Sequence, residues 1–162
     1  MNPIVVKALG TSLLACALLA RGGHALAQGG YPYSGMKIVA SKQPFESLVG
    51  RLEKSIAASG MGLVAQASAS RAAAGRGIKI PGNAVLMVFR NDYAVRMLKA
   101  SVPAGIEAPL RLYVTENPDG SASVIYRLPT AVFAPYGSPE LDAMAKELDP
   151  IFEKIVRDSV GS

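Results

Sequence analysis

Cysteine and histidine each occur once in this 162-residue chain, and both fall among the first 27 residues. Lys7 opens a positively charged start, Ala8 to Ala20 forms an apolar stretch, and Ala25-Leu26-Ala27 precedes Gln28. This is the pattern of a secretory signal peptide with a small-x-small cleavage site. Cleavage after Ala27 removes Cys16 and His24. The mature chain then has no thiol nucleophile, no imidazole base and no disulfide. It also has almost no route to zinc, copper or haem through soft or nitrogen ligands. No cofactor and no metal site are therefore expected, and the expected location is periplasmic or secreted. A long hydrophobic run is missing too. Ala8 to Ala20 is shorter than the roughly 20 residues a membrane-spanning helix needs, so no transmembrane segment is expected. An alternative leader is a lipobox at Leu13-Leu14-Ala15-Cys16, with Cys16 as the lipid anchor. Bulky Leu14, and an apolar run that continues past the cysteine, speak against it.

Removing residues 1–27 from 162 leaves 135, enough for one domain with its own core. The expected organisation is a leader (1–27), a flexible arm (28–35) and a single domain (36–160). Losing Lys7 and Arg21 leaves 15 basic residues against 12 acidic ones, a net charge of +3. Most of the excess lies before Asn91, where only Glu46 and Glu53 oppose Lys37, Lys42, Arg51, Lys54, Arg71, Arg76, Lys79 and Arg90. Such a half favours an acidic partner or simply a solvated face. The interleaved basic and aromatic pattern of a nucleic-acid platform is absent, so no nucleic-acid partner is expected.

Met36 to Ser41 reads as a first strand, and Pro44 suits the first position of a helix. Phe45, Leu48, Val49, Leu52 and Ile56 then share one helical face, which Gly60 or Gly62 ends. Leu63 to Ala69 alternates Leu63, Ala65 and Ala67 against Val64, Gln66 and Ser68, as a strand does. A short helix at Ser70 to Ala74 and a turn at Pro81-Gly82-Asn83 follow, with Gly75-Arg76-Gly77 as another turn. Ala84 to Phe89 is apolar throughout, the mark of a central strand covered on both faces. Asn91 is placed to cap a helix at 92–101 whose inward stripe is Val95, Leu98 and Val102, with Pro103 closing it.

Leu110 to Glu116 and Ser121 to Leu128 flank Asn117-Pro118-Asp119-Gly120. Proline second and glycine fourth favour a type I turn with a left-handed Gly120 bulge. That geometry pairs Leu112 with Tyr126 and Val114 with Val124 on one face. The other face then carries Arg111 opposite Arg127, beside Tyr113, Thr115, Ser123 and Ile125. Ser138 caps a last helix, 139–159, striped by Leu141, Met144, Ala145, Leu148, Ile151, Phe152, Ile155 and Val156 through Pro150, where a kink is expected. These elements predict an α+β fold: an antiparallel sheet of four to five strands with helices packed on one face.

The helix Phe45–Ile56 followed by Gly60, then Ala84–Asn91, then Pro109-Leu110-Arg111 leading to Gly120, and Val124-Ile125-Tyr126 before Pro129, come in a distinctive order. In this order and spacing the stretch from Phe45 to Arg157 resembles the bacterial domain family DUF302, a domain of unknown function. The resemblance implies a compact α+β domain with an antiparallel sheet, members that often form dimers, and no established activity. It also implies an Asp-His pair where this chain has Ser68-Ala69, and Phe-Gly-Asn-Pro where it has Phe89-Arg90-Asn91-Asp92.

Arg111 and Arg127 would repel across the hairpin unless solvent or an anion lies between them. With Arg90, Tyr113 and Tyr126 nearby they form a candidate site for a carboxylate or phosphate. The competing reading has them splayed into water or paired with Glu107, Glu116 or an acid on a partner. Asp142, Glu147, Asp149, Glu153 and Asp158 read as a solvated helix face. The methionines Met36, Met61, Met87, Met97 and Met144 read as scattered core filling, with thioether ligation as the alternative. No catalytic residue is assigned. The expected function is a non-catalytic binding or interaction module of the cell envelope, for an anionic small molecule or an acidic protein partner. The alternative is an enzyme using carboxylate or tyrosine acid–base chemistry. A homodimer is expected, because Ala84–Phe89 is apolar on both faces and the hairpin's outer face carries Tyr113 and Ile125.

Overall fold

The computed structural model describes residues 33–161. The leader and most of the arm lie outside these residues. Strand β1 (Met36–Pro44) leads directly into helix α1 (Phe45–Ala58), followed by β2 (Gly62–Ala67) and the short α2 (Ala69–Ala74). Next come β3 (Asn83–Phe89), α3 (Asn91–Ala100), β4 (Leu110–Glu116) and β5 (Ser121–Arg127). Helices α4 (Pro129–Phe133) and α5 (Pro139–Val160) complete the chain. The five strands form one sheet in the order β1-β5-β4-β3-β2, with every pair antiparallel. Strands β2 to β5 are a simple meander. β1 lies at the far edge, so α1 carries the chain from one edge to the other.

The core follows from strand alternation. Ala84, Leu86 and Val88 of β3, Leu112 and Val114 of β4, and Val124 and Tyr126 of β5 face the same way and are buried. They pack against Leu48, Leu52 and Ile56 of α1 and Leu141, Leu148, Phe152 and Ile155 of α5. The helical stripes match those periodicities, so the fold is α+β with helices over one face of an antiparallel sheet. Helix α5 runs unbroken through Pro150. Ser138 caps it by accepting from the Leu141 amide at 3.3 Å. The hairpin has the expected register, Leu112 against Tyr126 and Val114 against Val124, with Gly120 at φ +82°.

Several expectations need correction. Pro44 is not the first residue of α1; it caps the helix from outside while still pairing with Ser121 at the end of β1. The alternation expected for β2 breaks at a bulge between Leu63 and Ala65, so Leu63 and Gln66 are the half-buried positions. Asn91 does not cap α3. Arg90 takes that position without a side-chain cap bond, and Asn91 is the first helical residue.

The inward stripe of α3 was misplaced. Tyr93 and Met97 are its buried residues, whereas Val95, Leu98 and Val102 are 43%, 46% and 73% exposed. The helix leaves β3 directly, and this fixes its rotation with the i, i+4 pair Tyr93/Met97 facing the core. Pro103 does not end the helix either: Ser101 does, and Pro103 is the second residue of a 3₁₀ turn over 102–107. Finally, α4 was not anticipated. It is tied to α5 by Asp149, which accepts from the Thr130 amide at 2.9 Å and its hydroxyl at 2.7 Å.

Candidate functional site

The sheet's second face carries three cross-strand rows. One runs Val85, Tyr113, Ile125, Ile38, and another Asn83, Thr115, Ser123, Ala40. In the third, Met87 lies opposite Arg111 and Met36 opposite Arg127. The β4–β5 register, extended by one residue, places Arg111 beside Arg127. Tyr33, Glu107, Arg111, Tyr113, Ile125 and Arg127 line a cleft of about 320 Å³ on this face. Of the five residues expected at an anion site, Arg111, Tyr113, Tyr126 and Arg127 line this cleft, and both arginines are there for the reason expected: a hairpin register that puts them outward.

Arg127 is the better-held arginine. Its Nη2 donates to the Ala131 carbonyl at 2.9 Å, and its guanidinium lies 5.2 Å from the Tyr33 ring centroid. Its Nε is buried and has no hydrogen-bond partner among the described residues. Arg111 is exposed. Among the described residues neither arginine makes an ion pair. The acids that sequence offered as partners are engaged elsewhere. Glu116 accepts from the Gly82 amide at 2.7 Å, and Glu107 accepts from the Tyr136 hydroxyl at 3.1 Å. Burial, reinforced by that carboxylate, pushes the Tyr136 hydroxyl above its ordinary value.

Arg90 does not join this cleft. It continues the parity of Ala84, Leu86 and Val88, which turns it to the helix side of the sheet. There its Nε donates to Asp92 at 2.7 Å, and the guanidinium lies 4.2 Å over the Tyr93 ring. Tyr126 lines the cleft but is only 5% exposed, with its ring on the helix side 6.5 Å from that of Phe152. Burial raises its phenol above the usual range, with Glu153 and Asp149 adding to the effect. A tyrosine shifted upward is more fully protonated at neutral pH, which makes it less available as a general base.

Other residues singled out by sequence have structural occupations. Ser68 accepts from the Arg71 amide at 3.1 Å as the cap of α2, and its hydroxyl lies 3.0 Å from that of Ser70. Ser70 in turn bonds the Asn83 backbone. Ser123 donates to Asn117 at 3.1 Å within the hairpin. On α5, Glu147 forms a bidentate pair with Arg96 at 2.7 and 2.8 Å, and Asp158 pairs with Lys154. No cluster of three or more potential metal-ligating His, Cys, Asp or Glu is present among the described residues. Sequence reasoning did not name Tyr33 and Glu107 as cleft residues. Tyr33 falls in the arm (28–35), and Glu107 is read only as a possible salt-bridge partner. Both sit outside regular strands, where periodicity assigns no face.

A family model described as "Domain of unknown function DUF302" matches residues 37–158. The fold is similar to that of a crystal structure described as an uncharacterized conserved DUF302 protein from Bacillus stearothermophilus. The TM-score is 0.69 at 20% identity, and the match covers 79% of this chain and 99% of that one. No curated protein matches. Among the described residues no helix is long and apolar enough to cross a membrane.

Proposed function

This chain belongs to the DUF302 family of unknown function, and from that premise we propose that it is a non-catalytic binding module whose ligand is an anion carried on an apolar body. The observation that carries this reading is the Arg111/Arg127 couple in an otherwise largely apolar cleft, without an ion pair among the described residues and with the Arg127 Nε buried and unpartnered there. Two guanidinia side by side repel, and a carboxylate or phosphate between them turns that repulsion into charge-assisted hydrogen bonds. Tyr33, Tyr113 and Ile125 give the apolar part of the ligand a wall. Glu107 at the same cleft lowers the net charge and favours a singly charged head over a polyanion.

The module works in the bacterial cell envelope, periplasmic or secreted, after removal of residues 1–27. The Lys7 start, the apolar stretch and the Ala25-Leu26-Ala27 site support this location. It acts as a homodimer through the second face of the sheet beside the cleft, where Ile38 of the edge strand β1 is 57% exposed. Light scattering at about 50 μM, well above typical interface dissociation constants, reads this directly. A dimer mass is expected, and a monomer mass overturns the dimer.

The test of function is native mass spectrometry of protein purified from its source. The expected spectrum contains a co-purified anionic molecule that is absent from the Arg111→Ala/Arg127→Ala double variant. A ligand retained by that variant overturns the site. Turnover of a co-purified molecule would move the protein to the enzymes.

A further inference from the structure

On the opposite side of the sheet, three methionines from three elements meet. Met61 follows α1, Met97 lies on α3 and Met144 on α5, and each is at most 6% exposed. With Tyr93 and Phe133 they line a cavity of about 30 Å³, room for about two water-sized groups. The one charged residue on its lining is Arg90. The Arg90 side chain is 33% exposed, and its one side-chain hydrogen bond among the described residues goes to Asp92, itself 62% exposed. An exposed pair of this kind exchanges partners at little cost, and the guanidinium fork fits a carboxylate head. Methionine is unbranched and soft, so these walls yield to a guest more readily than Leu or Ile would.

We propose that this cavity is a second binding site, separate from the outer cleft, that takes the short apolar tail of a small carboxylate whose head replaces Asp92 on Arg90. A soft metal cation held by the three thioethers is disfavoured by the same neighbours. Thioethers are neutral, so the cation's charge would stay unbalanced in an apolar cavity next to the Arg90 cation. The cavity's size sets the ligand class: a tail of a few carbons, not a long acyl chain or a sterol.

The methionines themselves provide the readout. Protein labelled with ¹³C at the methionine methyls is titrated with acetate, propanoate, butanoate and butanol. Single Met→Leu substitutions, which conserve volume, assign each signal. Met36 lines the outer cleft and Met87 pairs with Arg111, so they report the other face of the sheet. The expected result is that butanoate shifts Met61, Met97 and Met144 and leaves Met36 and Met87 in place. Affinity rises about fourfold from acetate to propanoate, whose two-carbon tail the cavity holds, and by less from propanoate to butanoate. Arg90→Gln reduces butanoate binding to the level of butanol. Silent cavity methyls at 100 mM butanoate, or shifts confined to Met36 and Met87, overturn the proposal. So does equal binding of butanol and butanoate to the unsubstituted protein. Silver ions that shift the three cavity methyls where butanoate does not would replace it with a soft-metal site. Because the two faces carry different reporters, failure here leaves the outer cleft's own test untouched.

Discussion

The two faces of the sheet are made by alternate residues of the same strands, yet they are governed by different physics. On the helix side, Leu86, Leu112, Val114 and Val124 are fully buried against α1 and α5. Their chemistry is interchangeable in kind but not in volume. On the other side, Arg111 and Tyr113 of β4 contact no helix stripe and face a cleft. The first face decides that the chain folds, and the second carries the cleft on which the proposed function rests. Neighbouring positions in sequence therefore belong to separate problems, stability at Leu112 and, under the proposed function, binding at Arg111 and Tyr113.

The sharpest way to break this division is to substitute adjacent residues. Leu112→Ala leaves a cavity in the core and should lower the unfolding free energy by about 2–5 kcal/mol in urea titration. Tyr113→Ala, one residue on, should lower it by less than about 1 kcal/mol. Equal losses would erase the distinction between the faces.

Gly82 gives the next effect. A Cβ there would lie 2.6 Å from the Phe45 ring, and the backbone is pinned by bonds to Glu116 through both its amide and carbonyl. Gly82→Ala should therefore cost about 1–3 kcal/mol by overpacking the core-side start of α1. Gly77→Ala has open space but a φ of +73°, so its cost is backbone strain alone and should be smaller, about 1 kcal/mol. Thermal unfolding of the two variants checks the order.

Ser138→Ala removes the cap of α5 and should cost about 1 kcal/mol. The smallest effect concerns surface charge. Hydrogen bonds from Arg96, Arg90 and Lys154 hold the carboxyls of Glu147, Asp92 and Asp158 below the ordinary carboxylate range. Lowered folded values mean stability that is present above the unfolded carboxylate range. It is lost as pH falls through that range toward the lowered values. These groups are exposed, so the loss between about pH 5 and 3 should be slight and should shrink further in 0.5 M salt. Midpoints measured against pH at two salt concentrations would show it.

How far the sequence could be read follows the same division. The core face was legible because burial imposes a period. Phe45 to Ile56 and Leu141 to Val156 betray their stripes, and Asn117 to Gly120 sets a register that aligns everything on both strands. The outward convergence of Arg111, Tyr113 and Arg127 came free with that register. Legibility failed where periodicity competes with a local constraint. On α3 the more apolar set Val95, Leu98 and Val102 lost to Tyr93 and Met97, because the short link from β3 fixes the helix rotation. Arg90 was grouped with the wrong face although the parity of β3 would have placed it. The bulge in β2 and the short α4 leave no periodic trace. The meeting of Met61, Met97 and Met144 is a tertiary event between elements far apart in sequence, and spacing cannot reveal it.

The most direct test compares the Arg111→Ala/Arg127→Ala double variant with the unsubstituted protein in two measurements on the same samples. One is calorimetric titration with the anion recovered from source-purified protein, and the other is thermal unfolding without it. The account predicts at least a tenfold loss of affinity, since each charge-assisted bond contributes about 1.5–3 kcal/mol, and an unfolding midpoint close to the original. Unchanged affinity, or a fall in midpoint as large as that of Leu112→Ala, would contradict it.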